Sequence, residues 1–278
     1  MSTLQPTFAP QRVALLGAGR VATQLGPALV QAGHQVVSVW SRTTASAQRL
    51  AAQLPSAIIS PSLDFSSQPL ADIYLLSVPD AAVPEVLAAA NFPAGSLVVH
   101  TAGALPLALF EAYPNVRGGV FYPLQTFSPG RLIEWAAVPL CVEAADEAGQ
   151  AVLMALAHSL SDLVRPVATL QRQRLHVAAV FAGNFTNHLL GISHTLLAEV
   201  NLPFELLAPL LRETVEKALA APPFSVQTGP AARRDAPTLA RHQAELTAHP
   251  TWLTLYKALS DSIQQQLPPA APNNEAGL

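Results

Sequence analysis

Near the start of the chain, Gly17-Ala18-Gly19-Arg20-Val21-Ala22 has the form G-x-G-x-x-A. It follows a short apolar run, Val13 to Leu16, and opens a helical stretch, Arg20 to Ala32, ended by Gly33. That placement suits a pyrophosphate. The first glycine permits a tight turn, the second lets the backbone approach the ligand, and the third small residue lets helix pack on strand. A helix start also offers unpaired N–H groups and a partial positive charge. Gly17, Ala18, Gly19, Arg20 and Val21 are therefore the candidate phosphate contacts, the plain alternative being an ordinary glycine turn. Pro27 lies inside this helix and is expected to kink it, downstream of the first turn.

Three further strand ends carry chemistry. Val36 to Trp40 ends in Ser41-Arg42-Thr43. An NAD-selective site places a carboxylate there for the ribose 2′-hydroxyl. Here a guanidinium fork and two hydroxyls stand instead, which suits a 2′-phosphate. The expectation is NADP, against a merely solvated arginine. Ile73 to Val78 ends in Ser77-Val78-Pro79-Asp80, which offers either an apolar wall for the cofactor or a proline turn with Asp80 as helix cap. Ser96 to His100 continues into Thr101-Ala102-Gly103, which either sets Thr101 near a nicotinamide or forms a polar turn.

Short apolar strands alternating with helices up to residue 168 imply a mostly parallel sheet covered on both faces. Strands are also expected at Gly119–Tyr122, Val138–Val142 and Leu163–Val167. Helices are expected at Thr44–Leu54, Asp80–Ala90, Leu105–Ala112 and Asp146–Leu160. Beyond 168 the spacing is helical throughout, from Gln171 to Val200, Pro203 to Ala220, Thr238 to Ala248 and Trp252 to Gln266. The fold class is thus α/β, a Rossmann-type doubly wound sheet followed by an all-helical domain. The expected organisation is a disordered segment at 1–10, a dinucleotide-binding domain at 11–168, a helical domain at 169–267 and a disordered tail at 268–278.

Composition narrows the function classes. The 278 residues are 50% hydrophobic and 12% charged, with a formal charge of −3. That leaves no basic surplus for a nucleic-acid backbone. The single cysteine, Cys141, excludes an internal disulfide framework and a cysteine-rich metal site. No apolar run reaches the ~18 residues of a membrane span, and the N-terminus lacks a signal-peptide core. The expectation is a cytoplasmic protein without metal, membrane or nucleic-acid partners.

Residues 11–103 resemble the N-terminal domain of NADP oxidoreductases related to pyrroline-5-carboxylate reductase and the β-hydroxyacid dehydrogenases. The resemblance rests on Gly17-Ala18-Gly19, Ser41-Arg42 and Val78-Pro79-Asp80. Three later segments resemble a narrower group with a helical C-terminal domain of unknown function: 122–127 (YPLQTF), 176–185 (HVAAVFAGNF) and 228–235 (TGPAARRD). The resemblance implies an NADP-binding domain, a helical dimerisation domain forming a homodimer, and an active site between the domains. This chain departs from the group at Ala102, where the group has Ser, at Tyr122, where it has His, and at Arg234, where it prefers Gly.

Reducing a carbonyl requires a proton donor within ~3 Å of the acceptor. The β-hydroxyacid dehydrogenases are expected to use a lysine four residues before an asparagine. Counted back from Asn184 that position is Val180, and the only two lysines, Lys217 and Lys257, lie elsewhere. His176 and Asn184 remain as catalytic candidates, about 80° apart on an ideal helix. His176 has the alternative of a partly buried structural histidine, and Asn184 of a structural amide. Ala102, Tyr122 and Arg233 are candidate substrate contacts. The alternatives are a core aromatic for Tyr122 and, for Arg233 and Arg234, solvated charges beside a helix capped by Asp235. The expected function is hydride transfer between NADP and a small carbonyl or imine compound. The alternative is a catalytically silent NADP-binding sensor or scaffold, with a deazaflavin-type partner a third option.

Overall fold

A computed structural model describes residues 9–68 and 70–266. Most of the expected segment 1–10, the whole expected tail 268–278 and residue 267 lie outside the described residues. By internal contacts the chain divides into two compact units, one ending at Phe185 and the other beginning at Thr186.

The first unit is an eight-stranded sheet with helices on both faces. The strands are β1 (Arg12–Leu16), β2 (Gln35–Trp40), β3 (Ile58–Ile59), β4 (Ile73–Leu76), β5 (Ser96–His100), β6 (Val116–Pro123), β7 (Leu140–Ala144) and β8 (Val164–Pro166). Their order is β3-β2-β1-β4-β5-β6-β7-β8. Every pair is parallel except β6 with β7. The order reverses between β1 and β4, where a doubly wound sheet opens a crevice at its carboxyl edge.

Alternation along the strands sorts the core into two layers. Val13, Leu15, Val39, Leu75, Val99 and Phe121 face one side. They pack on α1 (Arg20–Gln31), α2 (Thr44–Ala51) and α4 (Glu147–His158). Leu16, Tyr74, Leu76 and Val98 face the other side, under α3 (Val83–Ala89) and Phe110. On that same side Val120, Tyr122 and Cys141 meet Leu175 of α5 (Thr169–Ala179). Asp146 caps α4 by accepting from the Gly149 amide at 2.8 Å.

Several local expectations change. α1 runs continuously through Pro27 to Gln31, with Gly26 packed against Leu15 and Leu54. Asp80 makes no capping hydrogen bond; a short 3-10 turn, Asp80–Ala82, precedes α3. The helix expected from Leu105 is a 3-10 turn at Leu107–Ala112. The long helix from Gln171 is interrupted by a π-helical turn, Val180–Phe185, before α6 (Thr186–Glu199). The ideal 80° separation of His176 and Asn184 therefore does not apply, because a π turn holds more residues per turn than an α-helix.

The second unit continues from α6 with α7 (Ala208–Ala220), α8 (Ala236–Glu245) and α9 (Pro250–Gln266). Asp235 caps α8 by accepting from the Thr238 amide at 3.1 Å. Among its described residues only Ala231 and Leu246 are buried hydrophobics. Leu206, Leu210, Val215 and Leu219 are more than half exposed.

Candidate active site

Register brings the sequence candidates of the first unit to one edge. Leu16 lies level with Trp40 and with Leu76, Leu76 with His100, and His100 with Val120. The segments that follow these residues, at Gly17, Ser41, Ser77 and Thr101, therefore leave the sheet together, and Tyr122 rises beside them on β6.

At the first turn, Gly17 has φ +115°, and a Cβ there would collide with the Ser77 carbonyl. Only glycine fits both that backbone and that crossing. Gly19 is different: the nearest atom to a Cβ would be the Ser77 oxygen at 3.7 Å, so the backbone there stands open. Among the described residues no side chain caps the start of α1, and its first turn holds no acidic residue. The first helical hydrogen bond is donated by Thr23, which leaves the earlier amides to an external anion. The glycine-rich turn thus fits a pyrophosphate on steric and electrostatic grounds. Arg20 is exposed, while Ala18 and Val21 are half-buried against the core.

Beyond β2 a cavity of about 420 Å³ is lined by Trp40, Ser41, Arg42, Thr44, Ser60 and Pro61 among others. Arg42 is exposed. The Thr43 hydroxyl donates to Ser46 at 2.8 Å, so it is engaged within its own helix start. Across the switch point Ser77 is buried, Val78 half-buried and Pro79 exposed. Thr101 is tied to the strand, since its amide and hydroxyl both donate to the Leu76 carbonyl at 3.2 Å.

His176 and Tyr122 meet. A hydrogen bond of 3.0 Å joins Tyr122 Oη to His176 Nδ1 across 54 positions of sequence. Their rings stand edge to face, with centroids 5.8 Å apart. The backbone of Gly103 closes against both: a Cβ there would lie 2.5 Å from Nδ1 and 2.9 Å from Tyr122 Cζ. Burial pushes the Tyr122 phenol up, so it stays protonated at neutral pH. Ala102 is buried beside it and offers backbone alone. Asn184 is exposed in the π turn. Arg233 belongs to the second unit, exposed in the turn that leads to the Asp235 cap.

Sequence reasoning did not single out Gly103, His100, Arg172 or Glu143. His100 is fully buried, and its Nδ1 accepts from the Ala102 amide at 3.2 Å. Burial, with a smaller push from the Arg172 charge, brings its imidazole down to about 4. A signal for Arg172 was present: it precedes His176 by four residues, one helical turn.

A parallel sheet with a switch-point crevice, a glycine-rich turn and an uncapped helix defines a dinucleotide-binding fold of the Rossmann type. Comparison with known proteins gives the same class. Residues 2–120 match a Rossmann-like domain, and residues 138–263 match a domain of unknown function, DUF2520. A Bacteroides fragilis protein, provisionally named an NADP oxidoreductase, is 36% identical with a TM-score of 0.82, over 92% of this chain and 98% of that one. The chain therefore belongs to that family, in which a Rossmann-like domain is followed by DUF2520. The imine reductase of Aspergillus terreus, solved with NADPH4 and dibenz[c,e]azepine, has a TM-score of 0.61 at 18% identity, over 92% and 95%. The 1-pyrroline-5-carboxylate reductase of Streptococcus pyogenes has a TM-score of 0.57 at 13% identity, over 92% and 99%. These two share the fold. Comparison with curated proteins returns no match. Among the described residues, no helix is long and apolar enough to cross a membrane.

Proposed function

We propose that this chain is an NADP(H)-dependent oxidoreductase acting on a small carbonyl or imine compound. The observation that carries the reading is the meeting at one sheet edge of an open, uncapped helix start and a histidine held by a tyrosine hydroxyl. The Gly17–Val21 turn receives the pyrophosphate. Arg42 and Ser41, in the lining of the cavity beyond β2, take the 2′-phosphate with the neighbouring Thr43. Ser77, Val78, Pro79 and Thr101 border the nicotinamide half. When bound, that cofactor supplies or accepts the hydride.

The chain's own part is proton handling and orientation. A protonated Tyr122 donating to Nδ1 leaves the ring proton of neutral His176 on Nε2, the nitrogen available to an acceptor. Asn184 orients the acceptor, and Ala102 contributes to substrate binding. An imine fits the missing lysine, because a protonated imine brings its own positive charge.

The helical unit is proposed to pair with a second copy of the chain. Four helices that bury so little of their own apolar surface need a partner to cover it. Light scattering at increasing concentration tests this, with a monomer at all concentrations opposing it.

The activity is tested with NADPH and a panel of cyclic imines, keto acids and aldehydes. Turnover lost in His176→Ala supports the reading. NADPH binding without turnover on any member indicates the sensor instead, and no binding of NADPH removes the proposal.

A further inference from the structure

A buried ion pair joins β7 to the helix that carries His176, and its arginine also reaches the loop after β5. Arg172 is fully buried, a rare setting for a guanidinium unless it is paired. It pairs with Glu143 of β7, and its Nη2 donates to the Leu105 carbonyl at 2.5 Å. The same carboxylate accepts from the Thr169 amide at 2.8 Å and from the Thr169 hydroxyl at 2.9 Å. Thr169 Oγ1 accepts from the Leu107 amide at 3.1 Å, and Gln173 Nε2 donates to the Ala104 carbonyl at 2.8 Å. The first turn of α5 is thereby fixed to residues 104, 105 and 107. Gly103, whose backbone presses on His176, is the next residue in that loop. From the sheet side the loop is held by Thr101 on Leu76 and by the Ala102 amide on His100.

We propose that Arg172 and Glu143 are positioning residues for His176. They set the height of α5 against Gly103, and through it the Tyr122–His176 hydrogen bond and the tautomer that bond selects. The inference rests on reading His176 as the hydrogen-bond donor to the substrate through Nε2–H. Stability alone is a poor reason for such a pair, because removing two charges from water largely offsets their attraction. Geometry is a better one: the planar fork of Arg172 reaches a carboxylate and a carbonyl at once, and a lysine ammonium lacks that shape.

The test follows the His176 ring by long-range ¹H–¹⁵N spectra of the full-length protein labelled at histidine, with His176→Asn to assign it. The wild type is expected to hold one tautomer, protonated on Nε2. Tyr122→Phe, Arg172→Lys and Glu143→Gln are each expected to move the nitrogen shifts toward a mixture of tautomers. NADPH affinity in the two ion-pair variants should stay within about twofold of wild type. An unchanged tautomer in both, with only a lower melting temperature, overturns the proposal. Should both fail to fold, Gln173→Ala removes only the Ala104 bond and is expected to give a smaller shift of the same sign; no shift again overturns it. The readout needs no substrate. A chain that binds no NADPH yet shows these shifts sinks the oxidoreductase reading and leaves the positioning role intact.

Discussion

Tyr122 Oη and His176 Nδ1 lie 3.0 Å apart, with the Gly103 backbone packed against both rings. A methyl group at position 103 has no room. Gly103→Ala is expected to break that hydrogen bond and to cost about 1–3 kcal/mol, as overpacking of a fixed site does. Urea denaturation measures the loss. An unchanged midpoint would show that the loop shifts freely, against the rigid attachment described above.

Cofactor choice is testable at the second strand end. Arg42→Ala is expected to weaken NADPH by roughly 1.5–3 kcal/mol, about 10- to 150-fold, and to leave NADH nearly unaffected. Titration of both reduced cofactors decides it, since equal weakening contradicts a 2′-phosphate contact. Gly17→Ala is expected to abolish binding of both, because its Cβ meets the Ser77 carbonyl.

Acid should destabilise the first unit through His100. Its imidazole sits at about 4 in the fold, below an unfolded value of about 6.5. Between these values the unfolded chain binds the extra proton, so stability is fully present above about 6.5 and is lost as pH falls toward 4. The contribution at stake is about 3 kcal/mol. His34, also lowered by burial, acts in the same direction. Denaturation midpoints from pH 7 to 4.5 should fall less steeply in His100→Gln than in the wild type.

Arg234 has φ +56°, a left-handed backbone that disfavours side chains, and its guanidinium donates to the Gln264 carbonyl at 3.3 Å. Arg234→Gly should relieve the backbone while removing the guanidinium's contacts, the Gln264 bond among them. The expected gain is ~1 kcal/mol, or roughly 2–4 °C in Tm. A lower Tm would mean that the contacts of the Arg234 side chain outweigh the strain.

Local patterns exposed much of this site. The strand-turn-helix placement of Gly17 and the missing carboxylate after Trp40 can be read directly, because both are local. The preference for glycine at position 234 has its counterpart in the positive φ. Three features escaped for physical reasons. The Tyr122–His176 bond joins residues that only the folded sheet brings together. The π turn leaves helical periodicity intact on both sides and shows no residue-level mark. The Arg172–Glu143 pair reads as two ordinary surface charges until tertiary packing buries it.

The single antiparallel pairing among the described residues, β6 against β7, decides how the histidine arrives. Had the last two strands kept the common direction, the chain would have been released at the crevice rim, and the next helix would lead away from it. Reversed, β8 delivers the chain below the rim, and α5 must climb about 10 Å from Thr169 before His176 reaches it. The length of the excursion between Leu124 and Val138 is thereby uncoupled from the placement of the proton-bearing ring. Insertions there would leave the ascent of α5 the same.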